Sequence, residues 1–85
     1  MDFQLIYTKR SVKDIQSLDQ HTKSRIKQGL EKFRKDPFFY AHKLSNSGTG
    51  SYRFRVGNYR IICDIEKHNI IVLRVGHRKN IYRKF

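Results

Sequence analysis

The sequence holds one cysteine, Cys63, one proline, Pro37, and no tryptophan. A lone thiol cannot close a disulfide within the chain, and Cys63 lies in an apolar run, so nothing points to a secreted, disulfide-built protein. No stretch approaches the about 18 apolar residues that a membrane-spanning helix needs. The start of the chain, with acidic Asp2 and a short apolar run, does not resemble a signal peptide. These absences predict a cytoplasmic protein without a membrane anchor.

Negative charge is also scarce. Only 7 Asp and Glu residues stand against 19 Lys and Arg, which gives a formal net charge of +12. So strong a bias on a small body favours a polyanionic partner, either nucleic acid or an acidic protein. The length of 85 residues, 38% of them hydrophobic, allows one core and one site, so we expect one domain over residues 1–85. The histidines show no metal-ligand spacing, and we expect neither metal nor cofactor.

Apolar periodicity predicts an α+β fold. We expect a strand at residues 3–8, a helix capped by Thr8 or Ser11, and a second helix that begins at His21 or Thr22 and ends near residue 35. The runs 51–56, 59–66 and 70–76 predict an antiparallel three-stranded meander, and the tail a short extension or helical turn. This β-α-α-β-β-β order packs both helices on one face of the sheet.

The run YRFRVGNYR at positions 52–60 is the most informative stretch. Strand alternation puts its apolar residues on one face and Arg53 and Arg55 on the other. If Gly57 opens a two-residue hairpin loop, Arg55 lies directly opposite Arg60. Like charges in a cross-strand pair are destabilising, a cost that a face built to bind an anion explains. Surface solubility is the plainer explanation, but three arginines converging on one hairpin favour anion binding.

Further cations lie outside the hairpin. Lys23, Lys27 and Lys32 belong to a basic surface of the second helix, which is either simply solvated or in contact with RNA. Arg74 is a further candidate for contact with RNA or the ribosome: it faces the basic surface if the turn before it has three residues, and faces inward if that turn has two.

Three other features allow structural expectations. Gly29, in the second helix, marks a place where the first helix packs closely. The aromatic residues 38–40 are either a stacking platform for bases or, as we favour, a cover for one edge of the core. Residues 45–50 are typical of a flexible polar connector.

Three motifs resemble a known family. They are Tyr-basic-x-basic at residues 52–55, the pair Tyr59-Arg60, and Val-Gly-His-Arg followed by Ile-Tyr-Arg between Val75 and Arg83. Together with the order of elements, they resemble the RelE/ParE superfamily of toxins from bacterial and archaeal toxin–antitoxin systems over almost the whole chain. The resemblance is closest to the RelE branch, whose members cleave mRNA in the ribosomal A site without a metal ion.

The resemblance implies a role for each of five residues. Arg53 and Arg55 correspond to the paired basic residues of the family, Arg60 to the arginine that holds phosphate, Arg78 to the arginine at the leaving group, and Tyr82 to the C-terminal tyrosine. The implied reaction is attack of the ribose 2′-hydroxyl on the adjacent phosphorus.

This sequence departs from a well-known RelE pattern, which has lysines at the two paired positions. Arginine stays protonated and is a poor general base, so Arg53 and Arg55 are expected to stabilise charge. The base is then Tyr82 or His77, or ribosomal RNA relays the proton. Histidine titrates near neutral pH, but a histidine at a strand end is as often a surface residue.

The leading hypothesis is a ribosome-dependent mRNA endoribonuclease that an acidic, RelB-like antitoxin neutralises in a heteromeric complex. The antitoxin is expected to cover the basic face or displace the C-terminal tail. The other expected partners of the endoribonuclease are the ribosome and mRNA. The alternatives are a ParE-like inhibitor of DNA gyrase without nuclease activity, and a basic RNA-binding module without catalysis.

Overall fold

The computed structural model describes residues 2–44 and 50–81, which form a five-stranded sheet with helices. The strands are β1 (Gln4–Tyr7), β2 (His42–Lys43), β3 (Tyr52–Val56), β4 (Tyr59–Glu66) and β5 (Asn69–His77), and the helices are α1 (Lys9–Gln16), α2 (Gln20–Phe33) and α3 (Pro37–Tyr40). The strand order is β1-β5-β4-β3-β2; β1 is parallel to β5 and the other neighbours are antiparallel. The predicted α+β fold is confirmed, with α3 and β2 added.

Both longer helices begin at a side-chain cap. The Thr8 hydroxyl accepts the Ser11 N–H at 3.1 Å and donates to the Val72 carbonyl at 3.1 Å, so the cap of α1 also fastens that helix to β5. α2 begins earlier than predicted, because Asp19 is its cap and accepts the Thr22 N–H at 3.3 Å. Within the described ranges, no helix has the length and apolar content to cross a membrane.

The core lies between α2 and the meander. Ile26, Leu30 and Phe33 point from α2 onto the sheet, and the Phe33 ring stacks on Phe54 with centroids 4.6 Å apart. A Cβ atom on Gly29 would lie 2.9 Å from the Val56 side chain, so the close approach is to β3. The expectation that α1 packs against Gly29 was therefore wrong, since the helix meets the sheet there.

A β-bulge decides which way Arg74 faces. The turn before β5 has two residues, because Glu66 pairs with Asn69, and plain alternation would turn Arg74 inward. The register shifts between Ile62 and the next residue of β4, so Arg74 pairs with Ile62 on the side of Arg60. Arg74 therefore lies on the side of the basic surface. The prediction required a three-residue turn for this orientation, but the bulge produces it with a two-residue turn.

The aromatic segment after α2 is more exposed than expected. Pro37 is buried and Tyr40 packs partly against the core, whereas the Phe38 and Phe39 side chains are 57% and 76% exposed. The Phe38 ring nevertheless packs edge to face against Phe3 and Tyr52, with centroids 6.2 and 5.8 Å apart. The predicted cover of one core edge therefore holds for Phe38 and Tyr40 and is wrong for Phe39. Of the predicted connector at 45–50, only Gly50 lies within the described residues.

Candidate active site

The hairpin between β3 and β4 has the predicted register. Val56 pairs with Tyr59 and Arg55 pairs with Arg60 across a two-residue loop. Gly57, at the first loop position, has φ +58°, a conformation that favours glycine. The Arg25 guanidinium lies over this glycine, since a Cβ there would be 3.1 Å from its Nη2. Two cations are therefore held opposite each other by a sharply defined turn.

Arg53, Arg55 and Arg60 form one surface, which we call the arginine face. Strand alternation puts them on the side of the sheet away from α2, with Arg55 exposed and the other two half-buried. Arg60 Nη1 donates hydrogen bonds to the Gly57 and Tyr59 carbonyl oxygens, both at 2.9 Å. These bonds fix the direction of the guanidinium group. Adjacent guanidinium groups suit the bidentate binding of phosphate oxygens.

Arg78 reaches the same hairpin from the other end of the chain. Its backbone N–H donates to the Asn58 carbonyl in the hairpin loop at 2.7 Å, and its side chain is exposed. The structure therefore brings Arg78 beside the loop that joins Arg55 to Arg60. Tyr82 lies outside the described residues.

His77 lies on the opposite side of the sheet from the arginine face. It pairs with Tyr59, and the two rings pack edge to face with centroids 5.4 Å apart. Its Nδ1 accepts the backbone N–H of Lys79 at 3.1 Å. Gly76, the neighbour of His77 in β5, pairs with Arg60, and adjacent residues of a strand point to opposite faces. The structure therefore does not bring the His77 ring together with the strand arginines.

Arg74 is part of an ion pair that the sequence did not reveal. Its Nε lies 2.8 Å from Asp14 Oδ2, and the two side chains are only 11% and 13% exposed. The same oxygen accepts the Val75 N–H at 3.0 Å. Asp14 thereby accepts a backbone hydrogen bond from the part of β5 that extends beyond the end of β1. Arg74 therefore has a structural partner in α1, which the sequence did not predict.

The three lysines of α2 do not share one surface. Lys23 and Lys27 border a groove of about 380 Å³ between α1, α2 and β1, which is lined mainly by apolar side chains. Lys32 lies at the other side of α2, with its Nζ 5.1 Å from the centre of the Tyr40 ring. The groove lies on the helix side of the sheet, away from the arginine face.

The chemistry available at the arginine face is charge stabilisation. Guanidinium groups remain charged and donate hydrogen bonds, so they bind and stabilise anions but do not take up a proton. In the described part of the chain, no group of three or more His, Cys, Asp or Glu side chains is placed to hold a metal ion.

Comparison with known proteins decides the family. A family model described as the ParE toxin of type II toxin–antitoxin systems matches residues 5–82. The chain belongs to this toxin family. The curated protein Toxin RelE3 of Methanocaldococcus jannaschii is 35% identical to this toxin, in an alignment that covers 95% of this chain and 97% of that protein. The predicted membership of the RelE/ParE superfamily is confirmed.

Solved structures of RelE toxins have the same fold as this toxin. The toxin is similar to a chain of the RelB–RelE antitoxin–toxin complex from Methanococcus jannaschii, with a TM-score of 0.71, 33% identity and coverage of 94% of this chain and 98% of that one. A chain of the RelBE2 toxin–antitoxin complex from Mycobacterium tuberculosis has a TM-score of 0.84, 20% identity and coverage of 92% and 100%. The second likeness concerns the fold alone.

Proposed function

We propose that this toxin is a ribosome-dependent mRNA endoribonuclease. The observation that carries the proposal is the cross-strand pair of Arg55 and Arg60, two like charges held opposite each other beside Arg78. A pair of this kind costs stability in the free protein, and a phosphate group bound between the cations would offset that cost. The similarity to curated Toxin RelE3 supports the same conclusion.

The proposed reaction is a transfer of the phosphoryl group within the mRNA. The 2′-oxygen forms a bond to the adjacent phosphorus, the bond from phosphorus to the 5′-oxygen breaks, and the products are a 2′,3′-cyclic phosphate and a 5′-hydroxyl. The arginine face stabilises the charge that develops on the phosphorane oxygens. Arg78 stabilises the leaving 5′-oxygen. The proton of the 2′-hydroxyl passes to Tyr82 or to ribosomal RNA, and the leaving 5′-oxygen takes one proton from solvent water to become the 5′-hydroxyl.

Mapping of mRNA 5′ ends in cells tests this proposal. The toxin is induced and the ends are located by primer extension, with Arg78→Ala as the variant and Lys79→Ala as a neighbouring control of equal charge change. We expect codon-phased cuts from the wild type and the control, and a loss of roughly 100-fold or more in Arg78→Ala. Growth arrest without new 5′ ends would contradict the proposal.

Gyrase inhibition is the second candidate, because the matching family model is that of the ParE toxin. A gyrase inhibitor has no need of a phosphate-binding cluster. If the toxin inhibits gyrase, Arg60→Ala and Arg78→Ala should leave growth arrest largely intact. If it is a nuclease, both variants should lose growth arrest while the fold is unchanged. A passive RNA-binding module would cause no cleavage in any variant.

The partner that we propose is an acidic antitoxin of the RelB type, as in the similar RelB–RelE complex. Val12, Ile15 and Leu30 line the groove between α1 and α2 and suit the apolar side of an antitoxin segment. Lys23 and Lys27 at its rim would pair with the segment's carboxylates. An antitoxin that wraps on to the arginine face would exclude RNA, so a stable ternary complex with an RNA oligonucleotide would refute this arrangement.

The proposed site of action is the translating ribosome, so we propose that the toxin acts in the cytoplasm.

A further inference from the structure

The turn that follows β5 uses every backbone N–H from Arg78 to Ile81. The Arg78 N–H donates to the Asn58 carbonyl at 2.7 Å, and those of Asn80 and Ile81 both donate to the His77 carbonyl at 2.9 Å. The Lys79 N–H donates to His77 Nδ1 at 3.1 Å. One residue, His77, therefore accepts three of the four hydrogen bonds in the turn.

Both ends of this turn are held by packing. At its start, the His77 ring packs edge to face against Tyr59, the first residue of β4. At its end, Ile81 is 2% exposed, and a Cβ on Gly76 would lie 3.0 Å from the Ile81 Cδ1. Arg78 thus projects from a short segment whose flanking residues have fixed positions.

The hydrogen bond from Lys79 occupies one nitrogen of the imidazole ring. Nδ1 accepts this hydrogen bond with its lone pair, so it carries no hydrogen of its own, and the hydrogen of the ring lies on Nε2. Nε2 has no lone pair left to take a proton from a ribose hydroxyl. In this geometry neither nitrogen is available as a general base. The side-chain acceptor instead resembles an Asx turn, in which a side-chain oxygen accepts the N–H two residues later.

We propose that His77 is a positioning residue that holds Arg78 at the hairpin loop through its Nδ1 acceptor and that it carries no proton in the reaction. This inference rests on the proposed nuclease function. The ring accepts the N–H of Lys79, the residue after Arg78, and the Asn58 carbonyl accepts the N–H of Arg78 itself. Loss of the acceptor frees the Lys79 amide and lets the Arg78 guanidinium move relative to the arginine face.

Two substitutions separate the possible roles of His77. His77→Asn keeps an acceptor for the Lys79 N–H but has no imidazole, whereas His77→Phe keeps a ring against Tyr59 but has no acceptor. Each purified variant is given translating ribosomes with a defined mRNA, and the single-turnover cleavage rate is measured. We expect the Asn variant to retain most of the wild-type rate and the Phe variant to lose roughly tenfold or more, as for a misplaced catalytic group.

Every other pattern overturns the inference. Loss in both variants would make His77 a proton carrier, retention in both would give it no role, and loss in the Asn variant alone would assign the role to ring packing.

Hydrogen exchange of the Lys79 amide, followed by NMR, gives a readout that does not depend on cleavage. Protection in the wild type and the Asn variant, lost in the Phe variant, is expected; equal exchange in all three would refute the inference even if the toxin proved to be no nuclease.

Discussion

At the scale of single residues, Arg55 should show a conflict between stability and activity. It faces Arg60 directly, so removal of its charge relieves a cross-strand repulsion. We expect Arg55→Thr to raise the free energy of unfolding by about 0.5 kcal/mol and to lower cleavage. Urea denaturation checks the first effect. Lys43→Thr is a matched control, because this strand cation pairs with Tyr52 and should bring no gain. A destabilised Arg55→Thr would contradict the charge argument.

Cys63 offers a second test at the residue scale. Burial raises the pKa of its thiol from 9.0 to about 12, with a smaller contribution from the nearby charge of Asp64. The thiol therefore stays protonated in the native protein. Its contribution to stability is complete below pH 9 and is lost as the pH rises from about 9 to about 12, because only the unfolded thiol ionises in that range.

Alkylation measures the accessibility of that thiol. We expect iodoacetamide at pH 8 to leave Cys63 unmodified in the folded toxin and to label it fully in urea, since the thiolate is the reactive form. Mass spectrometry gives the labelled fraction. Rapid labelling without denaturant would mean that β4 opens or that Cys63 is not in the core.

The sequence was informative about residues whose environment is set by neighbours along one hairpin. The pairing of Arg55 with Arg60 followed from alternation and the Gly57 loop alone. The partners of Arg74 and His77 could not be predicted in this way. Asp14, the partner of Arg74, is distant in sequence, and the contact of His77 with Lys79 depends on a side-chain rotamer. No sequence pattern signals either contact.

At the scale of elements, α1 is attached to the sheet through Asp14. Its carboxylate accepts from Arg74 Nε and from the Val75 N–H at the edge of β5. We expect Asp14→Ala to cost about 3 kcal/mol, because it leaves a mostly buried guanidinium without its carboxylate. Arg10→Ala is the control: its Nε is 3.8 Å from Asp14 and its side chain is 58% exposed, so its loss should cost less than about 1 kcal/mol. Equal losses in urea denaturation would contradict this account.

The elements themselves were predicted where periodicity is strong. β3, β4 and α2 each show a clear apolar repeat, β5 is a nearly continuous apolar run, and the predicted order of these elements was right. The bulge between β4 and β5 was not predictable, since residues 70–76 form a nearly continuous apolar run in which Arg74 is the one polar residue, and no alternation marks the extra position. α3 and β2 are four and two residues long, too short for any period to appear.

At the scale of the whole molecule, the sheet separates two surfaces of different character. The arginine face lies on one side, and the apolar groove rimmed by Lys23 and Lys27 lies on the helix side. A net charge of +12 attracts any polyanion to both sides, so charge alone does not distinguish RNA from an acidic antitoxin. The groove does, because apolar walls suit a protein segment and not a phosphate backbone.

This separation implies that toxicity and neutralisation can be uncoupled. Val12, which lines the groove and is 40% exposed, is a suitable position for a charge. Because an aspartate there would place a charge against the antitoxin's apolar residues, we expect Val12→Asp to weaken antitoxin binding by roughly 10-fold to 100-fold, while growth arrest persists. Gln28→Asp, an equal charge change at an exposed position of α2, should leave affinity unchanged. Affinity is measured by calorimetry with the co-encoded antitoxin, and Arg60→Ala should lose much less affinity than Val12→Asp, because the groove holds the antitoxin's apolar residues. Loss of affinity in Arg60→Ala with none in Val12→Asp would place the main antitoxin contact on the arginine face instead.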